Sequence, residues 1–137
     1  MSPQKSAKIR DFMAACDLAV VSYVSADCGP QSAVVGFAVT PELEIVFDTV
    51  NTSRKYRSLR ERPRCSVVMW RGEITVQCEG VAEETDLDLY KEVYFQKLPD
   101  GRDRLKWPGI AYFVVRPTWI RYSDFLARPA VIEEFSF

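Results

Sequence analysis

Short β-branched runs, separated by connections too brief to hold a crossover helix, limit how this chain can fold more than any other feature. Leu18 to Ser25 (LAVVSYVS), Gln31 to Thr40 (QSAVVGFAVT), Leu43 to Asp48, Cys65 to Trp70 (CSVVMW), Glu73 to Glu83, Ile110 to Arg116 (IAYFVVR) and Thr118 to Phe125 (TWIRYSDF) each read as a strand. Asp27-Cys28-Gly29-Pro30, Pro41-Glu42 and Arg71-Gly72 read as turns, and Pro117 separates the last two strands. A parallel pair needs a long crossover, so most of these neighbours must run antiparallel. Six or seven strands with brief helices between them predict a mainly β fold, a small antiparallel barrel, built as one domain over residues 1–137.

Two of the strand patterns bear on function. Gln31 to Thr40 is apolar on both faces, which predicts burial on both. Its small residues Ser32, Ala33, Gly36 and Ala38 leave room beside the strand, for tight strand packing or for a flat ligand. Glu73 to Glu83 alternates, with Ile74, Val76 and Cys78 on one side and Glu73, Thr75, Gln77 and Glu79 on the other. Thr75 and Gln77 thus share a polar face, open either to solvent or to the polar edge of a bound ring.

Helices are expected at three places. Ser6 to Cys16 carries Ile9, Phe12, Met13 and Cys16 on one stripe. Tyr56 to Arg62 is closed by Pro63. Thr85-Asp86-Leu87-Asp88 resembles a capping box with Asp in place of Glu, so Thr85 is expected to cap a helix whose stripe is Leu87, Tyr90, Tyr94 and Leu98, ended by Pro99-Asp100-Gly101. The tail from Ala127 to Phe137 is low in turn signals and is expected to pack on a neighbour or to fray.

At the junction between the strand ending at Asp48 and the helix that follows lies Thr49-Val50-Asn51-Thr52-Ser53-Arg54-Lys55. Asn51, Thr52 and Ser53 are all good N-caps, and any of them would put Arg54 and Lys55 at or near the first turn. Cations there oppose the helix dipole unless an anion is bound. Hydroxyls, free amides and two cations at a helix start have the chemistry of a phosphate site. The alternative is a solvated basic helix end.

Composition excludes several functions. The chain has no histidine, so it holds no Ser-His-Asp triad, no Cys-His pair and no histidine ligand to a metal or haem. Chemistry carried by a bound cofactor fits such a chain. Cys16, Cys28, Cys65 and Cys78 form no CxxC pair and are expected to be free thiols, without a zinc site. A net charge of −1 argues against a polyanion-binding protein as a whole. No apolar run is long enough for a membrane span, and Met1 to Lys5 leads into a polar helix rather than a signal peptide, so a cytoplasmic location is expected.

Phe47-Asp48-Thr49, then Ser53-Arg54-Lys55 after three residues, then Pro63-Arg64-Cys65-Ser66-Val67-Val68 after seven more, resembles the FMN-binding split-barrel family typified by pyridoxamine 5′-phosphate oxidase. Arg62 replaces that family's usual Asn or Asp before the proline. Gln31 to Gly36, Glu73 to Gly80 and Arg116-Pro117-Thr118-Trp119 resemble its flavin-lining strand, the strand after the motif and the closing strand pair. The resemblance implies an antiparallel split barrel of six to seven strands with short flanking helices, working as a homodimer with FMN at the interface. It implies that Arg54 and Lys55 bind the FMN phosphate, with hydroxyl hydrogen bonds from Thr49 and Ser53. Backbone atoms of Ala33, Val34 and Val35 would face the isoalloxazine ring, Asp48 would contact the flavin at the strand end, Thr75 or Gln77 would approach from the neighbouring strand, and Trp119 would reach it from the partner subunit.

Three departures separate the chain from a true pyridoxamine 5′-phosphate oxidase. It is much shorter. It closes on Ile132-Glu133-Glu134-Phe135-Ser136-Phe137 instead of an Arg-rich segment for the substrate phosphate, and it lacks the substrate-site histidine. The resemblance therefore implies an FMN-dependent oxidoreductase with an unassigned small substrate, with NAD(P)H as a possible donor and no assigned catalytic residue. The alternatives are a deazaflavin in place of FMN, or a flavin-binding module without turnover, for storage, electron relay or sensing. Nucleic-acid binding through Arg54, Lys55, Arg57, Arg60, Arg62 and Arg64 is not expected, because no aromatic stacking row accompanies these charges.

Overall fold

The computed structural model describes residues 1–137. Its elements are α1 (Pro3–Ala15), β1 (Ala19–Val24), β2 (Pro30–Val35), β3 (Ala38–Val39), β4 (Ile45–Val50), α2 (Arg54–Glu61), β5 (Arg64–Arg71), β6 (Ile74–Thr85), a single 3₁₀ turn (Leu87–Leu89), α3 (Lys91–Lys97), α4 (Gly101–Arg104), β7 (Ile110–Asp124) and β8 (Val131–Ser136). Seven strands follow one hydrogen-bonded path, β2-β1-β5-β6-β7-β4-β3, and β8 adds to β7. Every pairing is antiparallel.

One connection forces the sheet to curl. β2 and β3 lie at opposite ends of the path, yet only Gly36 and Phe37 join them. The three steps from Val35 to Ala38 reach at most about 10 Å, so the two edges must come close without pairing. The result is the mainly β, antiparallel split barrel with short helices. Inside it, Val21, Val67, Met69, Val76, Phe47, Phe113 and Ile120 pack with Ile9 and Met13 of α1. A smaller second layer forms on the outside of β4 and β7, where Val46, Tyr112 and Val114 meet Leu87, Tyr94 and Phe95. Strands β5 and β6 keep the alternation that the sequence predicts: Cys65, Val67, Met69, Val76 and Cys78 are buried.

Several expectations are corrected. Gln31 to Thr40 is not one doubly buried strand. It is an edge strand, a two-residue crossing and a short strand on the other edge; Ala33, Val35, Phe37 and Val39 face the main core throughout, while on the other side Ala38 joins the second layer. Val34 is 62% exposed, and Leu98 reaches within 3.4 Å of where a Gly36 side chain would begin, so part of the room beside the strand is filled from α3.

The two strands expected around Pro117 are one, β7. A bulge absorbs the proline: Gly80 pairs with Pro117, Glu79 with Trp119, and Thr118 has no partner in that ladder. At the same point the other side of β7 changes neighbour from β4 to β8, so the missing proline N–H leaves no unpaired carbonyl there. The tail does not fray. It forms β8, with Phe135 packed on the core and Glu133 held by Lys5 (3.1 Å) and Lys8 (3.5 Å) of α1.

Helix starts shift as well. Ser2, with Pro3 behind it, caps α1 in place of a start at Ser6. Thr85 remains in β6, and Asp86 caps the 3₁₀ turn by accepting from the Asp88 N–H (3.0 Å), so the expected capping box does not form.

Candidate functional site

Strand β4 delivers the candidate anion site to the end of the barrel. Ser53 has an extended backbone, and its hydroxyl accepts from the Tyr56 N–H (3.3 Å), so Ser53 is the N-cap of α2. Thr49, buried at the end of β4, shares a hydrogen bond with the same hydroxyl (2.8 Å). Arg54 and Lys55 therefore begin the first turn, where amide groups lack intrahelical partners.

The helix is fixed at several points. Leu59 and Ser58 are buried, Tyr56 meets Phe113 edge-on at 5.8 Å, the Tyr56 hydroxyl donates to Glu84 (3.0 Å), and Arg62 Nε donates to the Val24 carbonyl (3.1 Å).

The two cations at this start are unpaired. Carboxylates meet Arg60, Arg62, Arg104 and Arg116, but none meets Arg54 or Lys55. Arg54 is exposed and Lys55 is half-buried. Burial lowers the Lys55 pKa from its ordinary value, and the charge of Asp48 offsets part of that. An N-terminal position and burial both disfavour an isolated ammonium. An arriving dianion would relieve both.

Asp48 is engaged elsewhere. Its side chain points away from Thr49, where Oδ2 accepts from Arg104 Nε (2.9 Å) and from the Tyr94 hydroxyl. Burial, then the bond to Asp48, raises the Tyr94 pKa. Arg104 is also raised, because its bonds to Asp48 and Tyr94 outweigh the opposing effect of burial. Asp48 thus ties β4 to α3 and α4. Sequence reasoning missed Arg104, and no local signal marks it: its partner is 56 residues away.

The remaining candidates fall into a second group. Cross-strand register lines up Val34, Val20, Val68, Gln77, Arg121 and Glu134 on the outward face. The next row holds Ser32, Ser22, Ser66, Glu79, Trp119 and Ser136. Gln77 lies three strands from Val34, a separation of about 14 Å. Thr75 and Gln77 share this face with Trp119 on the adjoining strand, whereas Ala33 and Val35 point to its opposite side. Within one chain, Thr49, Ser53, Arg54 and Lys55 come together. Thr75, Gln77 and Trp119 form a separate outward group near Trp70, which is 51% exposed. A cavity of about 830 Å³ runs beside this group past Ser22, Arg64, Ser66 and Glu79.

All four cysteines are free and no cluster of metal-ligating side chains is present. No helix is long and apolar enough to cross a membrane.

A family model described as pyridoxamine 5′-phosphate oxidase matches residues 6–124. Among solved structures, a heme binding protein from Mycobacterium smegmatis superposes with a TM-score of 0.79 at 15% identity, over 99% of this chain and 58% of that one. The chain thus spans little more than half of that protein's length. General Stress Protein 26 from Bacillus anthracis str. Sterne gives 0.75 at 22% identity, over 98% of this chain and 99% of the other. HutZ, a heme storage protein from Vibrio cholerae, gives 0.65 at 16% identity, over 81% and 88%. At these identities the likeness is one of fold. No curated protein matches the sequence.

Proposed function

The chain belongs to the pyridoxamine 5′-phosphate oxidase family, and on that premise we propose that it is an FMN-binding oxidoreductase acting on a small substrate. The carrying observation is the unpaired Arg54–Lys55 pair at the capped start of α2, beside the Thr49 and Ser53 hydroxyls. A ribityl phosphate fits that donor set: it would accept from both cations, both hydroxyls and the free amides of the first turn. The bound flavin would supply the redox chemistry, while the chain anchors and orients it. The free outer edge of β2, at Ala33 to Val35, is the proposed resting place of the ring.

We propose a homodimer, because Thr75, Gln77 and Trp119 lie on an outward face away from the anion site in the same chain. A second subunit would bring that face to the cofactor, with exposed Val34 and Trp70 becoming buried. The proposed setting is cytoplasmic, with NAD(P)H or a small molecule as electron donor.

A binding module without turnover is the second reading. Asp48, the carboxylate whose charge acts on Lys55, is held by Arg104 and Tyr94 rather than presented as an acid or base, which supports this reading. Heme-binding proteins share the fold, but a histidine-free chain has no imidazole to ligate haem iron, so flavin is preferred over haem.

The test is the absorbance spectrum of the purified protein after incubation with FMN, with mass spectrometry of any retained molecule. Flavin bands that bleach with NAD(P)H support the oxidoreductase, and flavin bands that do not bleach support the module. A deazaflavin mass replaces FMN within the same site. A Soret band, or no uptake at all, refutes the flavin assignment.

A further inference from the structure

Asp48 directly precedes Thr49 in β4. Its carboxylate therefore lies roughly 10 Å from a phosphate held by the Thr49 and Ser53 hydroxyls. The side chain is largely buried, so solvent and salt screen its charge only weakly. Lys55 feels the same charge, which offsets part of the effect of burial on its ammonium. Left unpaired, this carboxylate would repel a phosphate dianion and draw Lys55 toward itself.

The chain pairs it from the other side. Arg104 Nε donates to Asp48 Oδ2 at 2.9 Å, and the Tyr94 hydroxyl donates to the same oxygen. At 19% and 16% side-chain exposure, Arg104 and Asp48 form the most covered ion pair in the chain. Both donors are themselves fixed. Arg104 Nη1 donates to Asp100 (3.1 Å), and the fully buried Tyr94 ring meets Tyr112 and Phe95 edge-on at 5.9 and 6.0 Å. Asp48 is thus turned toward α3 and α4, away from Thr49, while Arg54 and Lys55 keep no carboxylate partner.

We propose that Arg104 is a positioning residue for the anion site: by neutralising Asp48 and holding it toward α4, it keeps Lys55 unpaired and the start of α2 positive for a phosphate. It acts through Asp48 and touches no ligand. The inference rests on the reading of the α2 start as a phosphate site, and it brings a residue of a separate element into that site's electrostatics.

FMN titrations followed by flavin fluorescence test it on wild type, Arg104→Gln, Asp48→Asn and the double variant Asp48→Asn/Arg104→Gln, each first shown to be folded by circular dichroism. Arg104→Gln leaves the Asp48 charge unpaired and weakens FMN binding about three- to tenfold. Asp48→Asn keeps the shape, removes the charge and does not weaken FMN binding. In the double variant the affinity returns to within about twofold of wild type, because Arg104→Gln costs affinity only where Asp48 is charged. A merely structural role for Arg104 would give a deficit that Asp48→Asn leaves in place. Wild type that takes up no FMN overturns the phosphate site and this inference with it. Where wild type binds FMN, equal affinity in Arg104→Gln, weaker binding in Asp48→Asn or no recovery in the double variant overturns this inference alone. Should Arg104→Gln fail to fold, the Asp48→Asn and double-variant titrations still decide between these outcomes.

Discussion

Replacing Arg54 and Lys55 together with alanine should change cofactor affinity and stability in opposite directions. Each cation is proposed to make a charge-assisted bond to a phosphate, worth about 1.5–3 kcal/mol. Losing both should therefore weaken FMN binding by about 10²- to 10⁴-fold.

The cofactor-free chain should respond differently. Neither side chain has a carboxylate partner, and Lys55 is desolvated. Both oppose the α2 dipole, by about 0.3–1 kcal/mol each, and alanine is the better helix former. Lost packing of the half-buried Lys55 stem offsets part of this gain. The net expectation is a cofactor-free variant between unchanged and about 1.5 kcal/mol more stable.

Urea melts of the cofactor-free proteins and flavin-fluorescence titrations measure the two effects. Arg60→Ala is the control, since its exposed pair with Glu84 is worth at most about 1 kcal/mol. Unchanged FMN affinity in the double variant refutes the phosphate assignment. A cofactor-free variant destabilised by more than about 2 kcal/mol would instead make the two cations structural.

Three other outcomes follow from the packing. Gly80→Ala puts a Cβ 2.5 Å from the Arg116 carbonyl oxygen and 2.8 Å from Val115 Cγ1 at the bulge, so chemical denaturation should show a loss of about 3 kcal/mol. Arg104→Ala leaves the Asp48 carboxylate and Tyr94 hydroxyl without their cation. The loss should be about 2–3 kcal/mol, below that of a fully buried pair because both side chains keep some exposure. Burial pushes the Cys65 and Cys78 thiols from 9.0 up to about 12. Between those values the unfolded chain loses thiol protons that the folded chain keeps, so stability is full below pH 9 and falls as pH rises, by about 1.4 kcal/mol per unit per thiol. The fall should be shallower in Cys65→Ala/Cys78→Ala, and a thiol reagent at neutral pH should label exposed Cys28 first.

How much was legible in the sequence depended on the range of the interaction. The alternation of β5 and β6, the cap of α2 and the first-turn place of Arg54 and Lys55 were readable because each is set by residues within a few positions. The small-residue pattern of Gln31 to Thr40 was misread because its two ends belong to opposite edges of the sheet. Pro117 looked like a strand end because its missing N–H is harmless only where the strand changes neighbours, and the sequence does not name those neighbours. The hold of Tyr94 and Arg104 on Asp48 was not readable because they lie 46 and 56 residues away.

The sequence by itself determined a mainly antiparallel β chain, free of imidazole chemistry, with a capped helix that starts on two cations. Periodicity, turn residues and capping hydroxyls act through neighbouring backbone, so they are written locally. Only the tertiary structure decided that the sheet curls until β2 and β3 approach, that the tail becomes β8, and that Asp48 is held by Arg104 and Tyr94. It also decided that Thr75, Gln77 and Trp119 face outward, apart from the anion site. Those outcomes depend on which strands pair and which faces they bury, and ladder partners far apart in the chain are chosen only when the whole core closes.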